Sequence, residues 1–303
     1  MTIVPTDTVR PAAASLDLSI AVATYGVWFV LVWYGQALPV WLLFLLGGYC
    51  TCLHGSLQHS AVHGFPFRSN TLNKALVYPP LAFYFPYSIY REDHLTHHRC
   101  DTLTDAETDP ESLYLSAKRW NRMNRAQKMF FRFHFTLAGR LLAGPLVSLY
   151  YLYKREVVRM RCGDRSRLGI YIVHVAWIAA ISMFVTLAAG LPLWKYLLCF
   201  AYSGISFTLL RSYTEHRWSL SESERSLIIE GSWLTRLLYL NNNYHWLHHE
   251  QPHVHWSKLA GMFRKRRQEI LQINGGFYLN GYHNVLSRLW KDKLIDPVHP
   301  TFQ

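Results

Sequence analysis

Asn243-Tyr244-His245-Trp246-Leu247-His248-His249-Glu250 carries three histidines with the spacing H-x-x-H-H. On a helix, positions i, i+3 and i+4 share one face, so the three imidazoles can converge on one point. The same spacing occurs in His94-Leu95-Thr96-His97-His98, and His59-Ser60-Ala61-Val62-His63 places two more histidines at i and i+4. Three such segments in one chain indicate a metal site, because scattered surface or core histidines do not repeat at ligand spacing.

The sequence around these motifs is strongly apolar. From Leu18 to Phe67 the chain contains no Lys, Arg, Asp or Glu, which is rare in a soluble core and typical of membrane spans. We therefore predict an all-α, multi-pass membrane protein in a single domain over residues 1–303, with a cytosolic helical cap that holds a di-metal site. Its four membrane-spanning helices form two hairpins, predicted as Leu18–Tyr34 with Val40 to about Leu57, and Leu168–Ala189 with Leu193–Leu210.

Basic residues are distributed asymmetrically. Residues 91–167 contain fifteen Lys or Arg, whereas the predicted turns at 35–39 and 190–192 contain none. By the positive-inside rule, the histidine motifs and both termini are expected on the cytoplasmic side, in a bacterial inner membrane. The formal charge of +12 therefore fits a membrane protein whose Lys and Arg lie mainly on one side. Because no nucleic-acid-binding module accompanies the charge, we expect no nucleic-acid partner.

Four further segments have predicted roles. Three prolines in 72–90 exclude a straight spanning helix, so a re-entrant or interfacial segment is expected. An amphipathic helix over Leu227–Tyr239 is predicted to lead into the last histidine motif. Residues 1–16 are expected to be a flexible N-terminus, and residues 261–303 a basic C-terminal tail.

The histidine inventory exceeds the needs of one ion. The three motifs supply His59, His63, His94, His97, His98, His245, His248 and His249, and His216 follows the fourth span. One zinc ion takes three or four ligands, so these residues suit two metals. Imidazole alone is compatible with zinc, copper, iron or nickel.

Neighbouring residues are candidates for orienting the histidines. His54 precedes His59 on the second predicted span. An acidic run ends in Asp109-Pro110-Glu111, and it is open to three interpretations: a solvated loop, hydrogen-bonding partners of the motif histidines, or a seat for a cationic part of the substrate.

The three histidine motifs and the paired apolar hairpins resemble the membrane fatty acid desaturase/hydroxylase superfamily over roughly residues 20–260. The resemblance implies a non-haem di-iron centre on the cytosolic face, with O2 as co-substrate for attack on an unactivated C–H bond. It implies that the eight motif histidines bind iron, and that His216 matches the additional histidine that desaturases place after the fourth span.

Finer patterns resemble a bacterial branch that includes the rhizobitoxine-type desaturases, which act on amino-acid-derived molecules. They are Gln58–Gly64, Thr104 through Ser112, Glu215–Arg217 and Asn241–Asn243. Ser60 departs from the Glu that the branch commonly has in the first motif, and Ser212 stands where acyl desaturases have a water-linked Asn. Ser212, Glu215, Asn241 and Asn243 are the further residues implied to support the ligands.

The function predicted from this resemblance is an O2-dependent desaturase that introduces a C=C bond into an acyl chain or an amino-acid-derived metabolite. A di-iron hydroxylase or carotenoid ketolase is the alternative enzyme. A membrane metal-binding or transport protein is the alternative without catalysis, but its ligands should lie at mid-membrane. A zinc hydrolase would need H-E-x-x-H on a helix. No Glu follows His59 or His94, and the match at His249-Glu250-Gln251-Pro252-His253 is interrupted by a proline.

The predicted partners are a lipid bilayer, a hydrophobic or amino-acid-derived small molecule, and a source of electrons. Because the sequence shows no haem-binding or flavin-binding domain, a separate ferredoxin-like donor and its reductase are expected. The basic run Arg264-Lys265-Arg266-Arg267 would suit anionic headgroups or an acidic redox partner.

Overall fold

A computed structural model describes residues 10–300 of the chain. Helices make up 68% of the structure and strands 3%, which confirms the prediction of an all-α protein. The first helices, in chain order, are α1 (Arg10–Tyr34), α2 (Val40–Val62), α3 (Asn70–Val77), α4 (Tyr87–His97), α5 (Ala117–Asn121), α6 (Arg125–His134), α7 (Leu137–Leu142) and α8 (Gly144–Arg161). The remaining elements are α9 (Ser166–Met183), α10 (Leu193–Tyr196), α11 (Ser203–Glu215), β1 (Ile228–Ile229), α12 (Trp233–Leu238), α13 (His245–Glu250), α14 (Trp256–Ile273), β2 (Tyr278–Leu279) and α15 (Tyr282–Leu289).

Contacts divide the described residues into two compact units, each built from two stretches of the chain. The first unit contains the described residues up to Arg91 and Pro145–Thr208; the second contains Glu92–Gly144 and the described residues from Leu209 onward. The prediction of one domain over residues 1–303 stays a prediction.

Four helical segments are long and apolar enough to cross a membrane, as the sequence predicted. They are Pro11–Ala37, Val40–Val62, Ser166–Ala188 and Leu193–Glu215. The shortest of them has 23 residues, and a helix of that length spans about 35 Å at 1.5 Å per residue, against a hydrocarbon core of about 30 Å. The composition and length of these segments therefore make this a membrane protein.

The first two spans are longer than predicted. α1 begins at Arg10 and not at Leu18, because Pro11 is tolerated in a first turn and three alanines follow it. The predicted flexible start is therefore helical from residue 10, and residues 1–9 lie outside the described part. α2 continues past Leu57 to Val62, since no helix breaker occurs before Gly64, which has a φ of 87°.

The segment 72–90 is broken, as its prolines predicted. α3 ends at Val77, and no helix resumes until Tyr87, where α4 starts directly after Pro86. α4 then extends to His97, so the second histidine motif occupies the end of a helix.

The predicted helix over Leu227–Tyr239 is wrong for its first half. Ile228 and Ile229 form β1, which pairs in parallel with Tyr278 and Leu279 of β2. Both isoleucines are buried, and their β-branched side chains favour an extended backbone. The helix is only the six-residue α12, which starts after Ser232, whose side chain accepts a hydrogen bond from the N–H of Thr235.

Residues 261–300, predicted to belong to a basic tail, contain further elements of secondary structure. α14 runs through the basic run to Ile273 with a kink at Arg266, and Phe263 and Ile270, on either side of the kink, are fully buried. β2 and α15 follow, so the chain folds after the basic run within the described residues.

Close packing of the two hairpins holds the first unit together. A Cβ on Gly47 of α2 would collide with the backbone carbonyl of Cys199. The segment Leu197–Tyr202 is a π-helical turn, whose wider spacing leaves carbonyl groups available. The Thr51 hydroxyl donates to the Phe200 carbonyl across a distance of 2.7 Å. Small residues permit this approach, as is usual between membrane helices.

We therefore expect Gly47→Ala to destabilise the protein by about 1–3 kcal/mol, the usual cost of overpacking a tight interior. Gly26→Ala is the matched control, because a Cβ on this α1 residue would meet nothing within 4 Å. Thermal unfolding in detergent should show a lower midpoint for Gly47→Ala alone. Equal midpoints for the two variants would contradict the close contact at Gly47.

Candidate metal centre

The second and third histidine motifs lie on helices, at the spacing that brings their rings together. His94 and His97 occupy the last turn of α4, and the N–H of His98 still donates to the His94 carbonyl at 3.0 Å. The third motif forms α13. Leu247, on the same helix, is fully buried in a hydrophobic cluster with Ile228, Leu259 and Phe263. This packing fixes the rotation of α13 and hence the direction of its histidines.

Within the second unit, the motif histidines form two groups. In the first group the Nε2 atom of His98 lies 3.1 Å from that of His94 and 2.9 Å from that of His248. The second group consists of His97, His216, His245 and His249, whose ligand nitrogens all lie within 4.8 Å of one another. His216, the residue beyond the motifs, lies between His97 and His245, with Nε2–Nε2 distances of 3.1 and 2.9 Å.

Acceptor groups hold the opposite ring nitrogen of several histidines. The Nδ1 atom of His97 lies 2.8 Å from an Asp109 oxygen, and that of His94 lies 2.9 Å from Glu111. The His245 Nδ1 lies 3.2 Å from both Glu215 and the Asn242 side-chain oxygen. Each contact holds a proton on Nδ1 and leaves Nε2 as the nitrogen that can bind a metal, as is usual for metal-binding histidines.

This arrangement of donors fits a cation. A neutral imidazole with its proton on Nδ1 presents a lone pair at Nε2. The Nε2 atoms of His94 and His98, and of His245 and His249, are each 3.1 Å apart. Where converging nitrogens are lone-pair acceptors, they repel one another unless a positive charge lies between them, and a metal ion supplies that charge to the whole group.

Burial keeps most of the second group uncharged. Desolvation, followed by the charge of His97, lowers the pKa of His216 to about 3. Desolvation and the neighbouring imidazoles also hold the pKa values of His245 and His249 well below the usual range. His97 differs: burial works to lower its pKa, but the charges of Glu111 and Asp109 raise it to about 9. Three neutral donors are thus ready to bind, beside one imidazole that would release a proton on binding.

The first motif lies at the end of α2 in the first unit. The predicted span ended at about Leu57, but α2 continues to Val62, so His59 falls in its last turn and His63 caps the helix. Their ring centroids are 4.9 Å apart, so the i, i+4 spacing brings the two imidazoles together. Burial lowers the pKa of His63 to about 4. His54, five residues before His59, is buried and lies 3.1 Å from the Tyr25 hydroxyl.

Of the other residues predicted to support the ligands, some contact motif histidines and some do not. Asp109, Glu111 and Glu215 contact motif histidines, as described above. The Asn241 side chain instead bonds to Arg236 and the Trp256 carbonyl, and that of Asn243 donates to the Ile229 carbonyl. In the described chain, Ser212 lies half-buried on α11 without a hydrogen bond to a motif histidine.

Sequence reasoning missed two residues that contact the histidines. Asn242, between the two predicted asparagines, reaches His245. The Ser226 hydroxyl lies 3.2 Å from the His216 Nδ1, because residues 216 and 226 form an antiparallel bridge. The Asn241–Asn243 run could have indicated the first; no local pattern indicates the second.

Four membrane-spanning helices and a histidine cluster that could hold metal define a class of membrane metalloprotein. The chain belongs to the fatty acid desaturase family, whose model matches residues 35–279. This membership supports an oxidoreductase with desaturase- or hydroxylase-like activity. No curated protein matches the chain significantly.

Proposed function

We propose that this protein is an O2-dependent, non-haem di-iron membrane desaturase, which introduces a C=C bond into an acyl chain or an amino-acid-derived metabolite. The observation that carries the proposal is the convergence of Nε2 atoms in two groups, each backed by carboxylates at Nδ1. Family membership supplies the oxidative chemistry that such a site would serve. The rhizobitoxine-type branch stays a prediction.

The proposed ligands are the nine predicted histidines. His97, His216, His245 and His249 would hold one ion, and His94, His98 and His248 would hold the other, with His59 and His63 as the remaining donors. Bound iron would supply O2 activation and the oxidising power to remove two hydrogens from adjacent carbons. Asp109, Glu111 and Glu215 would hold the Nδ1 protons, which makes their imidazoles better donors.

The position of the second and third motifs favours an enzyme over a transporter. His94, His97, His98, His245, His248 and His249 all lie outside the four apolar spans. Transport ligands are expected on the spans near the bilayer midplane. By the positive-inside rule, we place these motifs and both termini on the cytoplasmic side of a bacterial inner membrane.

Metal and product analysis tests the proposed function. The purified protein should contain iron, and cells that express it should accumulate a product that lacks two hydrogens relative to its precursor. Both the lipid and the polar amino-acid-derived fractions should be compared with an empty-vector strain. A product heavier by one oxygen would assign the hydroxylase or ketolase reaction instead. Zinc as the only bound metal, with no altered metabolite, would refute O2 chemistry.

The proposed electron donor is an acidic ferredoxin-like protein that docks on α14. Arg264 and Lys265 are exposed there, whereas Arg266 pairs with Glu269 and Arg267 with Glu230. We expect the double substitution Arg264→Glu with Lys265→Glu to raise the donor KM about tenfold or more, and turnover to fall as salt rises, because opposite charges steer association.

Steady-state kinetics with varied donor would measure this effect. Arg288→Glu reverses one positive charge at an exposed position on α15, and it should leave the donor KM unchanged. Salt-independent turnover, or an equal effect of Arg288→Glu, would refute docking at the basic run.

A further inference from the structure

The C-terminal residues 297–299 pair with the loop that carries Asp109. The Leu115 N–H donates to the Pro297 carbonyl at 2.7 Å, and the His299 N–H donates to the Leu115 carbonyl at 3.1 Å. The His299 ring is 3% exposed and packs edge-on against Tyr114, with centroids 4.9 Å apart. These residues lie beyond position 279, where the match to the family ends.

Thr104, at the other end of that loop, has an unfavourable backbone conformation. Its φ is 81°, a region that a β-branched residue rarely adopts, and it is 2% exposed. Residues persist in such conformations only when their surroundings hold them there. Here the Ser112 hydroxyl donates to the Thr104 carbonyl at 2.6 Å, and the Thr104 hydroxyl lies 3.2 Å from the His299 Nε2.

Hydrogen bonds connect Thr104 to His97, a proposed metal ligand, through Asp109. The Thr104 N–H donates to one oxygen of Asp109 at 2.9 Å. The other Asp109 oxygen lies 2.8 Å from the Nδ1 of His97. An unbroken series of contacts therefore connects His299, Thr104, Asp109 and His97, all within the second unit.

We propose that the C-terminal segment Pro297–His299 is a clip that positions the metal-binding His97 through Thr104 and Asp109. The proposal rests on the proposed metal centre. In it, His299 is a positioning residue: its hydrogen bond keeps Thr104 in its strained conformation, and the Thr104 N–H then keeps the Asp109 carboxylate against His97. Without the clip, Thr104 can relax, and Asp109 loses one of the hydrogen bonds that hold it.

Two measurements on the full-length protein test the clip. In His299→Ala, hydrogen exchange of the metal-free protein should become faster across residues 104–112. Its affinity for Fe²⁺, measured by anaerobic titration, should fall about tenfold, at the low end of the range for outer partners of metal ligands. His299→Gln, which retains a hydrogen-bonding side chain, should recover part of both losses.

His283→Ala is the matched control, because His283 is an exposed histidine on α15 of the same C-terminal region. It should change neither exchange nor affinity. Unchanged exchange at 104–112 in His299→Ala would overturn the clip. A loss of Fe²⁺ affinity would also overturn it if a fall in the global unfolding midpoint accounted for the whole loss. If the wild-type protein binds no Fe²⁺, the proposed function fails, and so does the proposal that His299 positions His97 as a metal ligand. Faster exchange at 104–112 in His299→Ala would then show only that the clip holds the loop.

Discussion

Replacing His248 with alanine is expected to remove one of the two proposed iron ions and to lower turnover by more than about 100-fold. The loss of an outer partner of a ligand alone costs about 10- to 100-fold in metal affinity or activity, and the loss of the ligand itself should cost more. His248 is buried on α13, and its Nε2 lies 2.9 Å from that of His98. Alanine keeps the helix but leaves no donor atom at this position.

Iron content and turnover should be measured together on purified protein. His253→Ala is the control, because His253 is an exposed histidine only four residues beyond the third motif. We expect wild-type iron content in this control and roughly half of it in His248→Ala, since only one of the two histidine groups is altered. Full iron content in His248→Ala would exclude His248 as a ligand.

The sequence predicts well what depends on local spacing. The uncharged stretch Leu18–Phe67 contains the second span and most of the first, and i, i+3, i+4 spacing brings the histidines of α4 and α13 together. Both features follow from helix geometry and from the cost of burying charge. They require no knowledge of which distant segments meet.

Contacts between distant segments explain what could not be predicted. Ile228 and Ile229 fit an amphipathic helix by composition, but they pair with Tyr278 and Leu279, about fifty residues later. Ser226 reaches His216 through a bridge that has no helical period. The C-terminal residues looked like a tail because of their charge, yet Phe263 and Ile270 of α14 are buried.

Asp109→Asn is expected to weaken iron binding by about 10- to 100-fold, although it changes only one atom of the side chain. The Asp109 side chain is 1% exposed and accepts hydrogen bonds from the His97 Nδ1 and from the N–H groups of Thr104 and Glu111. Burial works to raise the pKa of Asp109, but the hydrogen bond from His97 and its charge, with the Thr104 N–H, hold that pKa below its usual value. The carboxylate is therefore the form that the site requires.

An asparagine cannot satisfy the same three donors. Its single oxygen can face either His97 and Glu111 or Thr104, so its NH2 group must point at an N–H on the other side. A buried donor without an acceptor costs about 1–3 kcal/mol, and the His97 ring loses the carboxylate that strengthens it as a metal ligand. The metal-free variant should therefore unfold at a lower temperature as well as bind iron more weakly.

Asp105→Asn provides the control, since it makes the same substitution in the same loop. Asp105 accepts from the N–H groups of Glu107 and Thr108 and from the Thr108 hydroxyl. The histidine with which its charge interacts is His299, which is not a proposed metal ligand. An asparagine oxygen can accept those bonds, so iron affinity should remain within about twofold of wild type. If anaerobic titration shows equal losses for both variants, the loop affects iron only through general stability. If Asp109→Asn alone loses affinity, the contacts of the Asp109 carboxylate, which include its hydrogen bond with His97, tune the ligand.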